Sequence, residues 1–174
     1  MFLLTFLPGK EPFISMMQAI MDKEIFSAQV IHCQESMFRT ARAILHSDED
    51  AEDAVQEAIC SAFAHRGSLR DAAKFKAWIL RILTNQCYDI CRKRRSVVYL
   101  DTVREQSTPT DDIDQQMTLW QAILQLNDDL RAPVTLFYYD GLSIREISKI
   151  LNISQATVKT RLFRGRTQLR RLFE

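Results

Sequence analysis

Residues 152–171, NISQATVKTRLFRGRTQLRR, carry six basic side chains and no acidic one, although the 174-residue chain has a formal net charge of only +1. Guanidinium and ammonium groups gathered on one short segment neutralise nucleic-acid phosphates. The chemistry that this segment indicates is therefore the binding of a polyanion. A solvated cationic face on a C-terminal helix is the simpler alternative.

Catalysis has little support in the sequence. The three histidines, His32, His46 and His65, are scattered and form no grouping of a nucleophile with a base. The four cysteines show no CxxC spacing, and only Cys87 and Cys91 are spaced so that they could share a metal. No histidine lies near that pair in the sequence. We expect no enzymatic activity, no metal site and no cofactor.

The basic segment lies in the second helix of a predicted helix–turn–helix. Ser143, with Glu146 three residues later, has the capping-box pattern that starts the first helix. Asn152 tolerates the left-handed conformation that the turn needs, and Ser154 is a typical N-cap for the second helix. The inner stripe of that helix is expected to be Val158, Leu162, Gly165 and Leu169.

The second helix of such a motif enters the major groove with its N-terminal end first. Small side chains at that end allow a close approach to base edges, and basic side chains neutralise phosphates. Gly165 is expected to let a neighbouring helix approach closely. The residues expected to bind DNA are Gln155, Ala156, Thr157, Lys159, Thr160, Arg161 and Arg164.

A second basic cluster ends the predicted helix FKAWILRILTNQCYDICRKRR, whose buried face includes Phe75 and Trp78. The helix dipole also favours cations at a C-terminus, so a structural role is the alternative to phosphate binding. Four consecutive basic residues exceed what capping requires, and the polar face of this helix could read base edges. The residues expected to bind nucleic acid here are Asn85, Asp89, Arg92, Lys93, Arg94 and Arg95.

The segment SDEDAEDAVQEA has the opposite charge and begins with a helix-start signal at Ser47. Asp53, Gln56 and Glu57 fall on one face, away from the apolar stripe that contains Val55. An acidic face does not approach DNA readily. It is therefore either a solvated surface or a docking surface for a basic protein.

Helical periodicity covers most of the chain, beginning with an apolar stripe from Ile25 to Leu45, and no alternating strand pattern is present. The few glycines and prolines also favour a helix-rich, soluble protein. We predict an all-α fold of two small helical domains, 24–95 and 118–174, joined by a flexible acidic linker over 96–117. The C-terminal domain contains the helix–turn–helix. An N-terminal extension over 1–23 is unassigned, and its apolar start is too short for membrane insertion.

Taken in order, DAEDAVQEA, FKAWILRILTNQCYDICRKRR and GLSIREISKILNISQATVKTRLFRGRTQLRR resemble the extracytoplasmic-function (ECF) sigma factors of bacterial RNA polymerase. The resemblance covers nearly the whole chain, from about residue 25 to residue 173. It implies a cytoplasmic initiation factor that directs core RNA polymerase to promoter DNA through −10 and −35 elements. It also implies an anti-sigma factor as a partner.

The resemblance implies a role for each surface. The acidic helix would bind the clamp helices of the polymerase β′ subunit through Asp50, Glu52, Asp53, Gln56 and Glu57. The loop over 66–74 would hold a base flipped out of the −10 element, which Asn85, Asp89 and Arg92 would read and help to open. The helix–turn–helix would bind the −35 element, and its domain would contact the β flap. The linker would run toward the RNA exit path.

Three residues depart from the family pattern. Ser148 replaces the usual Ala, Asn152 replaces the usual Gly of the turn, and Asn127 stands where a Pro often begins a helix. Ser is small and Asn tolerates the turn, so we expect the fold to accommodate the first two. The competing hypothesis is a stand-alone helix–turn–helix regulator that binds a palindrome as a dimer. That hypothesis leaves the acidic face and the polar face around Asn85 unexplained.

Overall fold

The computed structural model describes residues 23–98 and 118–174, with side chains over 23–94 and 118–174. Within these ranges the regular elements are helical and no strand occurs, which confirms the predicted all-α fold. The helices are α1 (Lys23–Leu45), α2 (Asp48–Ala64), α3 (Phe75–Val98), α4 (Leu119–Leu124), α5 (Asp128–Tyr138), α6 (Ile144–Leu151) and α7 (Gln155–Phe173), with short 3-10 turns at Arg66–Ser68 and Ala72–Lys74.

Most of the predicted extension and most of the predicted linker lie outside the described residues. Lys23, the last residue assigned to the extension, is the first residue of α1. Helix α3 continues to Val98, so residues 96–98 are helical although the sequence assigns them to the linker. A run of helix-compatible basic residues therefore carries α3 further than the change in composition indicated.

Helices α1, α2 and α3 pack on one another and form the N-terminal module. An aromatic cluster joins them: the ring centroid of Phe26 lies 5.4 Å from that of Phe63 and 5.6 Å from that of Phe75, both edge to face. Pairs of this kind contribute about 0.5–1.5 kcal/mol beyond their buried area. Ile25, which the sequence places in the apolar stripe, is 53% exposed because the neighbouring Phe26 takes the inward position.

Helices α4 to α7 form the C-terminal module, and the predicted start and stop signals of its helix–turn–helix are confirmed. The Ser143 hydroxyl and the Glu146 carboxylate bond reciprocally to each other's backbone N–H groups at the start of α6. Asn152 ends α6 with a φ of 52°. Ser154 begins α7 by accepting a hydrogen bond from the backbone N–H of Thr157 at 3.0 Å.

The Ser148 departure adds a contact within the turn. Its hydroxyl donates to the carbonyl oxygen of Ile153 at 2.6 Å. Gly165 permits the close approach of α7 and α5 that the sequence indicated, because a Cβ there would lie 2.5 Å from Cγ2 of Val134. Pro133 lies inside α5.

The two modules pack against each other, a contact that the sequence did not indicate. Helix α1 lies against α5, and α3 lies against α6. The buried apolar side chains of both modules form one continuous core. The helix–turn–helix is thereby held beside the helix that carries the second basic cluster.

Candidate nucleic-acid and protein interfaces

Helix α7 presents most of its predicted DNA-binding residues to solvent. Val158 and Leu162 of the inner stripe are buried, and Gly165 is buried with them. Because these positions turn one face of the helix inward, the opposite face is left for a partner. The exposed residues on it are Gln155, Ala156, Lys159, Thr160 and Arg164, whereas Thr157 and Arg161 are half-buried.

Two of these groups already have partners within the protein. Nε of Arg161 lies 3.5 Å from Oδ2 of Asp129, and the Arg161 side chain is only 26% exposed. The Thr160 hydroxyl donates to the carbonyl oxygen of Ala156 at 3.0 Å. Among the predicted DNA-binding residues, the cations Lys159 and Arg164 make no ion pair with any residue that the structure describes, so their charges are not compensated within the described protein.

Asp129 lies beside this surface and was not identified from the sequence. It lines a shallow depression together with five of the predicted residues: Ala156, Thr157, Thr160, Arg161 and Arg164. An acidic group here partly offsets the positive charge that α7 offers to DNA. Only the three-dimensional pairing with Arg161 exposes this role, because Asp129 belongs to a different helix.

The polar face of α3 contains Asn85, Asp89 and Arg92, as predicted, and all three side chains are exposed. Asp89 and Arg92 form an ion pair one turn apart. These residues line one wall of an open cleft, with Leu151 and Asn152 of the helix–turn–helix on the other side. The two predicted DNA-binding surfaces therefore adjoin one another.

Tyr88 also lines this cleft and was not singled out from the sequence. Burial raises the pKa of Tyr88, and the nearby positive charge of Arg161 lowers it in part. Arg161 of the recognition helix α7 therefore acts electrostatically on a side chain of α3. The spacing of Tyr88 three residues after Asn85 could have placed it on the polar face, but nothing local indicated the neighbouring module.

The basic cluster at the end of α3 is partly tied to the acidic helix. Arg94 forms an ion pair with Asp50 of α2. The hydrogen bond from Arg94 holds the pKa of Asp50 below its usual value. Arg94 thus joins two helices, which supports the structural alternative for this residue. Lys93 is exposed, and the side chain of Arg95 lies outside the described residues.

The acidic face of α2 is exposed along Glu52, Asp53, Gln56 and Glu57, while Asp50 is half-buried at its start. The inward face is made of small residues, among them Ala51, Ala54 and Ala58, which allow close packing. The three exposed carboxylates make no ion pair with the described residues. They are therefore available to a basic partner.

The loop over 66–74 consists of two short 3-10 turns. The guanidinium of Arg66 stacks over the Phe63 ring at 4.2 Å and donates to the Phe63 carbonyl oxygen. Asp71 accepts from the Ala73 backbone N–H and forms an ion pair with Lys74 at 3.0 Å. These contacts give the loop a defined shape, and the capture of a flipped base stays a prediction.

Within the described ranges, no cluster of His, Cys, Asp and Glu is arranged to hold a metal ion. Cys87 is fully buried, and burial raises the pKa of its thiol to about 12. No described helix is both long and apolar enough to cross a membrane.

The chain matches the family Sigma-70 region 2 over residues 30–97 and the family Sigma-70, region 4 over residues 116–169. The first range falls within the N-terminal module, and the second covers most of the C-terminal module. The ECF RNA polymerase sigma factor SigW of Bacillus subtilis is 34% identical over 167 residues, which cover 86% of this chain and 89% of SigW. The ECF sigma factor SigM of Mycobacterium tuberculosis is 30% identical over 153 residues, covering 87% and 78%.

Solved structures give the same result. The sigma factor RpoE, in complex with the anti-sigma factor NepR from Bartonella quintana, matches 85% of this chain and 96% of its own, with a TM-score of 0.72 and 27% identity. CnrH, in complex with the cytosolic domain of CnrY, shares the fold at 20% identity and a TM-score of 0.62. The region 2 match over the N-terminal module disfavours a stand-alone regulator. The chain belongs to the ECF sigma factors, and its function is promoter-specific initiation of transcription.

Proposed function

We propose that this chain is a non-catalytic, cytoplasmic initiation factor whose two domains, residues 24–95 and 118–174, divide the work. The N-terminal domain binds core RNA polymerase and the −10 element, and the C-terminal domain binds the −35 element. One observation carries the proposal: an exposed acidic face, a polar α3 face and an outward basic helix occur on modules that match region 2 and region 4 in that order.

The acidic surface, defined as Glu52, Asp53, Gln56 and Glu57, is the site proposed for the clamp helices of the β′ subunit. Its three carboxylates have no ion-pair partner among the described residues, so they can attract a basic helix and speed its docking. Asp50 takes part by holding the start of α2 against Arg94. The C-terminal module is proposed to contact the β flap in addition.

The polar face of α3 is the site proposed for the −10 element. Asn85 and Asp89 offer hydrogen-bonding groups to base edges, and Arg92 and Lys93 offer positive charge to the backbone. Capture of single-stranded DNA needs a cationic groove together with a surface on which unstacked bases can lie. Tyr88, in the same cleft, provides such a ring.

The exposed end of α7 is the site proposed for the −35 duplex. Gln155 and Ala156 lie at its N-terminus, where the recognition helix of this motif meets base edges. Lys159 and Arg164 would neutralise phosphates. Arg161 would contribute less charge because Asp129 already pairs with it.

An anti-sigma factor is a further proposed partner. RpoE was crystallised with the anti-sigma factor NepR, and CnrH with the cytosolic domain of CnrY. A partner of this class would bind this chain and compete with core RNA polymerase. Co-expression of this chain with a candidate anti-sigma factor would test that competition, because the chain should then bind less core RNA polymerase.

The experiment that tests the proposed function is transcription in vitro with core RNA polymerase on a fragmented genomic library, followed by mapping of start sites. We expect transcripts that core polymerase alone does not make. The double variant Asp53→Lys, Glu57→Lys should weaken binding to core polymerase. The matched control Glu24→Lys, Glu174→Lys makes the same charge change at other exposed positions and should not. A wild-type chain that ignores core polymerase would overturn the proposal.

A further inference from the structure

Asp140 is a buried carboxylate at the contact between the two modules. Its side chain has no exposed area, although it follows α5 in a turn that leads to the helix–turn–helix. Among the described residues, all of its side-chain partners belong to the other module. The Ser36 hydroxyl donates to Oδ1, and Nζ of Lys76 lies 3.2 Å from the same oxygen. Lys76 also donates to the Asp140 carbonyl oxygen at 3.1 Å.

Arg39 of α1 completes this group without satisfying it. Its guanidinium lies 4.0 Å from Oδ1 of Asp140 and 5.1 Å from the ring centroid of Tyr139. Oδ2 of Asp140 and Nε of Arg39 are both buried and have no hydrogen-bond partner among the described residues. A buried ion pair offsets its loss of hydration only when its hydrogen bonds are complete. The polar part of the module contact therefore holds two unsatisfied buried groups beside its ion pair, and it adds to the apolar core that the modules share.

When the two modules are packed against each other, which we call the closed arrangement, the two predicted DNA-binding surfaces lie side by side. The hydroxyl of Thr84, the residue before Asn85, lies within hydrogen-bond distance of the Ile150 carbonyl oxygen, at 3.1 Å. The turn residue Asn152 faces Asn85 and Arg92 across the cleft. Elsewhere in the contact between the modules, His46, which follows α1, contacts Arg131 of α5. A strand entering the cleft would have to share it with the helix–turn–helix.

The closed arrangement cannot serve both promoter elements at once. Their names place the −10 and −35 elements about 25 positions apart, which is roughly 85 Å of B-form DNA at 3.4 Å per base pair. In the closed protein, residues of the two surfaces line one cleft. Residues 99–117 can span at most about 65 Å when fully extended, which together with the modules themselves allows the separation that the promoter requires.

We propose that Asp140, held by Ser36 and Lys76, is an intramolecular latch that keeps the unbound sigma factor closed and reduces its affinity for promoter DNA until the modules separate. This inference rests on the proposed function of the two surfaces. The latch acts in the chain itself, without a second protein. When only a fraction of molecules is open, the apparent affinity equals the affinity of the open form multiplied by that fraction.

The test is the full-length variant Asp140→Asn. The amide keeps the size of the side chain and can still accept from Ser36, but the attraction to Lys76 is lost. Lys76 is 34% exposed, so its charge can turn to water. We expect a larger radius of gyration by small-angle X-ray scattering. We also expect about a tenfold gain in affinity for a −35 duplex from a mapped promoter, the size of one lost charge-assisted hydrogen bond.

Matched variants distinguish loss of the latch from a non-specific loss of fold stability. Lys76→Gln should reproduce both changes, and the double variant should show less than the sum of the two effects, because both substitutions remove the same ion pair, although Lys76→Gln also removes the bond to the Asp140 carbonyl oxygen. Glu24→Gln removes an exposed carboxylate from α1 and should change neither quantity. A wild-type chain that is as extended as Asp140→Asn would overturn the latch, and so would expansion without a gain in DNA affinity.

The two proposals fail in different ways. If the wild-type chain gives promoter-specific transcripts with core polymerase while Asp140→Asn has unaltered size and DNA affinity, the latch is wrong and the proposed function stands. If the wild-type chain does not bind core polymerase, the proposed function is wrong whatever the scattering shows.

Discussion

The Thr84 hydroxyl of α3 lies 3.1 Å from the carbonyl oxygen of Ile150 in α6, and both residues are buried. Its single proton is shared between this oxygen and the Arg81 carbonyl oxygen of its own helix, which is also 3.1 Å away. Ile150 lies in the last turn of α6, where helix carbonyls have no partner within the helix. The N-terminal module therefore satisfies a carbonyl group of the helix–turn–helix. Water can take over this role when the modules separate, so the bond favours closure without preventing opening.

Thr84→Val tests this bond. Valine keeps the shape of the side chain but leaves the Ile150 carbonyl oxygen buried and without its donor. We expect the free energy of unfolding to fall by about 1–2 kcal/mol, measured by urea denaturation. Thr167→Val is the control, because its exposed hydroxyl donates to the Phe163 carbonyl oxygen within α7 and not to the other module as far as the structure describes it. Equal effects of the two substitutions would contradict a role at the module contact.

Gly165→Ala tests the close packing of α7 on α5. The new Cβ would lie 2.5 Å from Cγ2 of Val134, so the Val134 side chain or one of the two helices must shift. Overpacking of this kind costs about 1–3 kcal/mol, seen as a lower midpoint of thermal unfolding. Val134→Ala in the same chain should recover part of the loss. Gly67→Ala, where the added methyl group would enter open space with no neighbour within 4 Å, should change the midpoint little.

The Asp50–Arg94 ion pair predicts a pH dependence of stability. Since the pKa of Asp50 is lower in the folded protein than its unfolded value of about 4, ionised Asp50 stabilises the fold above that pH. The contribution is lost as the pH falls through the folded pKa. Asp50→Asn should therefore be less stable than wild type at pH 7, and the difference should shrink below about pH 4.

Urea denaturation at a series of pH values measures this difference. Asp53→Asn removes an exposed carboxylate from the same helix that has no ion-pair partner among the described residues, and it should change stability little at any pH. If the difference in the free energy of unfolding between Asp50→Asn and wild type persists at pH 2, the ion pair is not its cause.

The cations of α7 should contribute unequally to DNA binding. Lys159→Ala and Arg164→Ala should each weaken binding to the −35 duplex and reduce the salt slope by about 0.9, as the loss of one phosphate contact requires. Arg161→Ala should reduce it less, because Asp129 partly neutralises Arg161. Fluorescence anisotropy over a range of salt concentrations measures each slope.

Asp129→Asn is the matched test of that ranking. It releases Arg161 from its ion pair, so the affinity and the salt slope should both increase. A slope that Asp129→Asn leaves unchanged, or an Arg161→Ala slope equal to that of Lys159→Ala, would mean that the ion pair does not restrain Arg161.

Local features of the fold could be predicted from the sequence because their causes lie within a few residues. The capping box of Ser143 and Glu146, the left-handed Asn152 and the N-cap Ser154 each depend on one turn of chain, and all occur as expected. The buried Gly165 follows from the helical spacing of its stripe. The prediction that Ile25 belongs to the buried stripe was wrong, because periodicity alone did not determine which of two adjacent apolar residues, Ile25 or Phe26, faces the core.

Contacts between distant residues could not be predicted in this way. Arg94 was expected to face phosphates and pairs with Asp50, while Arg161 pairs with Asp129. Asp140 has the pattern of an ordinary turn residue before a glycine, yet its partners Ser36 and Lys76 lie in the other module. Positive charge in a sequence indicates a surface for anions, but only the fold shows which charges are already compensated.

The continuous core has a consequence for how these residues can vary. Ile150 is buried at the module contact, beside Thr84. Any apolar surface that becomes exposed when the modules separate must be hydrated without causing the chain to self-associate. A larger apolar side chain would stabilise the packed modules but promote self-association when the modules are separated. Such positions must therefore suit both a buried and a hydrated environment, and they should tolerate fewer substitutions than their burial alone suggests.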